Sequence, residues 1–263
     1  RESVPAPGDW NRIYMHGTNN QLSYFDYLYA ANSLRVDGSN TATNSTIDNG
    51  YFAYMGPDAY GIYLYDGGGE SVTNNNITVS SSNWGIYNND SESTTITNNT
   101  ITAGYGIYLN NADEDEYVSN NTIIAYQYGI QTNNCDKGVD ILNNTITGAI
   151  KNYAIYCSDG IDTVLYNHIE RTEFGYDCCP DTYGIYKNGG YFTSLIKGNT
   201  IIYNDSTTAS NYFHNNWGIY CEYGKIDSNW IEIHGRSQTS CGDIILVSAY
   251  RSDVTRNTLK ATT

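Results

Sequence analysis

Four acids fall within the stretch 170–181: Glu170, Glu173, Asp177 and Asp181. Two carboxylates at a fixed separation can cleave a glycosidic bond, one as acid and the other as base or nucleophile. The same residues also read as solvated loop charges or contacts between subunits. A second acidic group, Asp113 to Glu116, follows Asp90 along the chain. Calcium takes several carboxylate and carbonyl oxygens, so Asp90, Asp113 and Asp115 are its candidate ligands. Their spacing matches no EF-hand loop, and a solvated acidic ridge is the competing reading. The four histidines lack the spacing of a transition-metal site.

The six cysteines include no C-x-x-C pair, which fits disulfides in an oxidising compartment better than a zinc site. Cys135 and Cys157 follow the same segment in successive repeats and are the expected pair. Cys178, Cys179, Cys221 and Cys241 cannot be paired from sequence. Asn-x-Ser/Thr sequons at Asn44, Asn76, Asn89, Asn98, Asn120, Asn143 and Asn204 offer glycosylation sites, with Asn89 and Asn204 favoured. A formal charge of −15 excludes a nucleic-acid partner of the usual kind, which would favour a basic face. No apolar run is long enough to span a membrane. The first residue is Arg1 rather than Met, which reads as a processed product. Together these features predict an extracellular or cell-surface location.

The elements that must position these residues repeat. Tyr60-Gly61-Ile62-Tyr63 returns as Trp84-Gly85-Ile86-Tyr87, Tyr105-Gly106-Ile107-Tyr108 and Tyr128-Gly129-Ile130. It continues as Tyr153-Ala154-Ile155-Tyr156, Tyr183-Gly184-Ile185-Tyr186 and Trp217-Gly218-Ile219-Tyr220. Each unit also holds an Asn-x-Ile motif whose asparagine recurs as Asn75, Asn99, Asn121, Asn144, Asn167, Asn199, Asn229 and Asn257. A β-branched residue precedes it: Val72, Ile96, Val118, Ile141, Val164, Ile196, Ile226 and Val254. Within each segment the alternation has period two, the strand period.

Three short strands per unit predict an all-β fold, a right-handed single-stranded parallel β-helix of about ten coils rising about 4.8 Å each. One domain spans 1–263, with degenerate coils over 1–59 and clear repeats over 60–259. The period puts Tyr105 and Ile107 on one face, so the aromatic should stack on its copies beside the isoleucine. The recurrent asparagine should take a left-handed turn and bond its amide to the copies above and below. The tyrosine after each Gly-Ile should point outward.

The pattern "GIY…NNTIT" resembles the parallel β-helix repeats of NosD-like proteins and of archaeal and bacterial surface proteins. The resemblance covers about 60–259. It implies the fold strongly and the function weakly, since such repeats serve carbohydrate-active enzymes, periplasmic accessory proteins and envelope structures. The Asn-Thr-Asp, Asp-Asp, Gly-His-Gly and Arg-Ile-Lys motifs of polygalacturonase-like enzymes are absent.

Late repeats lengthen on one leg, at 170–183, 202–217 and 232–243. Stacked insertions make one lateral patch, which is often a binding face. Neither end shows a capping helix, and head-to-tail stacking that does not close makes filaments. The leading expectation is therefore a non-catalytic structural protein that associates with itself into a filament, sheath or surface layer. Disulfides, glycans and calcium would stabilise it. The alternative is a polysaccharide-binding or polysaccharide-degrading protein using the insertion patch; a third reading, a NosD-like periplasmic accessory protein, is disfavoured by the scarcity of metal-ligand patterns.

Overall fold

In the computed structural model every strand pairing is parallel, and each strand lies on its counterparts one coil before and one coil after. The structure describes residues 10–38, 43–112, 114–172, 182–189, 194–204, 216–234 and 244–262. The chain is a β-solenoid of about eight turns rather than ten. Towards its start two legs of a coil fuse into one longer strand, Gln21–Leu28 pairing with Thr46–Ala53. No helix of the described residues is long and apolar enough to cross a membrane.

The repeated aliphatics form the core because parallel register brings like onto like. Ile86, Ile107, Ile130 and Ile155 are paired in line and fully buried. So are Ile101, Ile123 and Ile146 on the second leg, and Ile96, Val118 and Ile141 on the third. Each such side chain withdrawn from water contributes about 1.5–3 kcal/mol.

Two expectations are corrected. Tyr105 does not share a face with Ile107. The ladder skips Gly106, and Gly106 and Ile107 are both buried while Tyr105 and Tyr108 both reach the surface. A Cβ at Gly106 would lie 2.2 Å from the Gly129 carbonyl oxygen and 2.6 Å from Ile123 Cγ2. Glycine therefore lets the chain bend inward there, and the aromatics on either side turn out. The left-handed residue is also not the recurrent asparagine but the one before it. Asn74, Asn98, Asn120 and Asn143 have φ of 55–58°, as do Tyr166 and Ser228 at 56°.

Candidate functional site

Because both aromatics of each repeat face outward, one side of the rod carries two columns of rings. The first holds Tyr60, Trp84, Tyr105, Tyr128, Tyr153, Tyr183 and Trp217. The second holds Tyr63, Tyr87, Tyr108, Gln131, Tyr156, Tyr186 and Tyr220, in register coil by coil. All are half-buried. Rings one coil apart stack: Tyr153 on Tyr183 at 5.1 Å, Tyr156 on Tyr186 at 5.5 Å and Tyr186 on Tyr220 at 4.7 Å. Between columns some contacts are edge to face, as for Tyr183 and Tyr186 at 77°, and others stack, as for Tyr60 and Tyr87 at 8°. Burial raises the pKa of the Tyr87, Tyr108, Tyr128 and Tyr156 phenols, so these four remain neutral hydroxyls at ordinary pH.

Beside the rings runs a surface row of amides. Asn110 Nδ2 donates to Asn89 Oδ1 and Asn133 Nδ2 to Asn110 Oδ1, each at 2.9 Å. Ser158 Oγ donates to Asn133 Oδ1 at 2.9 Å, and the Tyr108 hydroxyl donates to Asn110 Oδ1 at 3.1 Å. Asn89 thus joins the row through its Oδ1, while its Nδ2 donates to Asp90. At the following corner Asn134 Nδ2 donates to Asn111 Oδ1, and Asn111 Nδ2 to Asp90 Oδ1. Asp90, Asn111 and Asn134 all take left-handed φ of 52–60°. Asp90 is a turn residue whose carboxylate accepts from the amides of Asn89 and Asn111, and coils align it with asparagines rather than with Asp115. Among the described residues no group of three His, Cys, Asp or Glu side chains could hold a metal ion. Asp113 lies outside them.

The recurrent asparagines form a separate, buried ladder. Asn99 Nδ2 donates to the Val72 carbonyl at 2.8 Å and to Asn121 Oδ1 at 3.0 Å. Its own Oδ1 accepts from the backbone and side-chain nitrogens of Asn75. The unit repeats through Asn144, Asn167, Asn199 and Asn229 to Asn257.

Sequence reasoning missed a second buried polar row at the neighbouring corner. Glu116 is 2% exposed; its Oε2 accepts from the Thr94 amide while Oε1 has no hydrogen-bond partner. Burial pushes its pKa up to about 9. Glu70 is buried and raised for the same reason. Asp162 and Lys187 form a fully buried ion contact at 3.4 Å, and burial lifts Asp162 to about 6 against the pull of the lysine. The signal was present as an acid or lysine at positions where other coils place threonine or leucine.

Cys157, Lys187 and Cys221 stand in register on successive coils. Cys135, Cys157 and Cys221 are buried free thiols, so the expected Cys135–Cys157 bridge is not formed. Register explains this: Cys157 pairs with Thr132, three residues before Cys135, which lies in the turn. Burial raises all three thiols, Cys135 to about 12 and Cys221 to about 11. Cys178, Cys179 and Cys241 lie outside the described residues.

Of the proposed catalytic acids, only Glu170 is described; Glu173, Asp177 and Asp181 are not. Glu170 faces outward, 3.8 Å from His168 Nε2 and 3.5 Å from Asn204 Nδ2. Two coils on in the same column, Glu232 contacts His234 at 3.0 Å and pairs with Lys260. The lysine holds Glu232 below the usual carboxylate range, which suits an ion pair and not a general acid. Among the sequons, Asn44, Asn76, Asn98, Asn120, Asn143 and Asn204 are exposed.

Residues 11–156 match the family described as periplasmic copper-binding protein (NosD). No curated protein matches. Among solved structures, the surface protein and adhesin PfbA of Streptococcus pneumoniae aligns over 96% of this chain and 91% of its own. Identity is 8% and the TM-score 0.38, so this likeness carries no argument. The described residues do not fit a copper centre. His168 and His234 stand beside glutamates on different columns, and the three thiols are buried with raised pKa, whereas copper takes the thiolate.

Proposed function

The chain belongs to the NosD family of β-helix proteins, and we propose that it is a non-catalytic rod that holds a neutral polysaccharide along its aromatic and amide face. The family is periplasmic by description, and an extracellular or cell-surface location follows for the chain. The observation that supports the reading is the pair of uncharged ring columns in register with the Asn89–Asn110–Asn133 ladder. Tyrosine and tryptophan offer apolar area with a polar handle, and amides both donate and accept. The coils that carry Asn89, Asn110 and Asn133 repeat a ring and an amide after about 4.8 Å, so a polymer of similar units meets similar chemistry at successive steps. The formal charge of −15 disfavours a polyanionic chain.

The test is retention of the full chain on immobilised neutral and acidic polysaccharides. Retention on a neutral one is expected, with no shortened products. The Tyr186→Ser/Tyr220→Ser variant should lose it while keeping its circular dichroism. Failure to bind any neutral polysaccharide, or equal retention by the variant, would sink the reading.

A further inference from the structure

The rings on the outer face form an unbroken path. Tyr60 meets Tyr87 at 4.8 Å, Tyr87 meets Tyr108 at 5.0 Å, and Tyr108 meets Trp84 at 4.9 Å. Trp84 meets Tyr105 at 4.6 Å, Tyr105 meets Tyr128 at 5.6 Å and Tyr128 meets Tyr153 at 5.4 Å. Tyr153 meets Tyr186 at 5.1 Å and Tyr186 meets Tyr220 at 4.7 Å. Gln131 interrupts the second column, so Tyr128 and Tyr153 carry the path across that coil.

The path has a chemically distinct end. A phenol that loses an electron becomes a strong acid and needs a base. The Tyr220 hydroxyl donates to Glu222 Oε1 at 2.7 Å, a carboxylate that can take the proton. The Tyr108 hydroxyl donates to an amide oxygen, which cannot. Tyr14 also donates to a carboxylate, that of Asp37, but the Arg35 guanidinium lies between its ring and that of Tyr63. A fixed positive charge there opposes the arrival of a second one. Directly behind the track sit Cys157 and Cys221, buried thiols next in sequence to Tyr156 and Tyr220. Oxidation of such thiols beyond the sulfenic acid is not reversed by ordinary reductants.

We infer that the two ring columns are a surface track for oxidising equivalents, with Tyr220 and Glu222 as its trap. A one-electron oxidant in the surrounding medium takes an electron from any ring of the track and is itself reduced by one electron. The vacancy passes from ring to ring. It settles on Tyr220 as a neutral phenoxyl radical, its proton now on Glu222. Oxidation is thereby kept on the outer face and away from the thiols. The proposal does not depend on glycan binding.

The experiment illuminates the full chain with a ruthenium polypyridyl sensitiser and persulfate. Oxidised tyrosine and tryptophan are then mapped by peptide mass spectrometry, and radicals are followed by electron paramagnetic resonance. In the unaltered chain the products should concentrate at Tyr220, well beyond its share of exposed ring area, with Cys157 and Cys221 still alkylatable. Tyr153→Phe keeps a stacked ring but cuts the path, so products should accumulate at Tyr105 and Tyr128 and fall severalfold at Tyr220. Glu222→Gln keeps the track but removes the base, so the excess at Tyr220 should vanish. Products that follow exposed area alone in all three proteins would overturn the proposal.

Discussion

Two ladders of asparagine run along this rod, and they differ in what surrounds them. The inner one passes from Asn75 through Asn121 and Asn167 to Asn257 without a substitution. The outer one links Asn89, Asn110 and Asn133 and then gives way to Ser158. Both use the same amide and the same coil spacing. Water accounts for the difference. An outer amide that loses its neighbour can bond to solvent, while an inner one leaves buried donors and acceptors with nothing. Polar repetition is therefore obligatory inside the rod and optional on its surface.

The sharpest way to break the comparison is Asn121→Leu. It would leave the Asn99 backbone nitrogen without its acceptor and take one partner each from Asn99 Nδ2, the Ile96 carbonyl and Asn144 Oδ1 in the core. We expect a loss of about 3–5 kcal/mol in chemical denaturation. A loss below about 1 kcal/mol would mean the ladder follows the fold without holding it.

The second prediction extends the comparison to buried acids. Glu116 rises from 4.5 to about 9 in the folded chain, chiefly through burial. Between those values the folded state keeps a proton that the unfolded state has released. Stability should accordingly be greatest at low pH for this group and fall as pH rises through the window, on the order of 1 kcal/mol per unit. Asp162, raised from 3.8 to about 6, acts in the same sense over its narrower window. Melting temperatures should drop from pH 5 to pH 9, and Glu116→Gln should flatten the slope. A flat profile in the unaltered chain would remove the claim that Glu116 is held neutral.

What could be read from the sequence was what the repeat enforces. Ile107, Val118 and Ile123 announced their core positions because parallel stacking demands the same side chain in each coil. Asn121 was legible for the same reason. The side on which Tyr105 lies was not, because a strict period of two carries no knowledge of the bend at Gly106. Nor was the place of the left-handed turn, since both residues of an Asn-Asn pair suit it; Tyr166 and Ser228 at the first position of later coils reveal which one it is. The acid row around Glu116 went unread because an acid in a polar turn looks solvated until register turns it inward. Cys135 and Cys157 were placed together by counting residues from a strand end, and a count does not give pairing register.

The smallest expected effect sharpens the comparison from the other side. Asn110→Ala removes the amide between Asn89 and Asn133 and the acceptor of the Tyr108 hydroxyl. All of these groups are only partly buried, so water can replace each lost partner. The cost should stay below about 1 kcal/mol, and circular dichroism should not change. Retention on a neutral polysaccharide should weaken nonetheless, because a bound chain excludes the water that substitutes in the free rod. Equal stability with weaker binding would assign the outer ladder to recognition. A stability loss near that of Asn121→Leu would show instead that both ladders hold the coils together and that solvent exposure makes little difference.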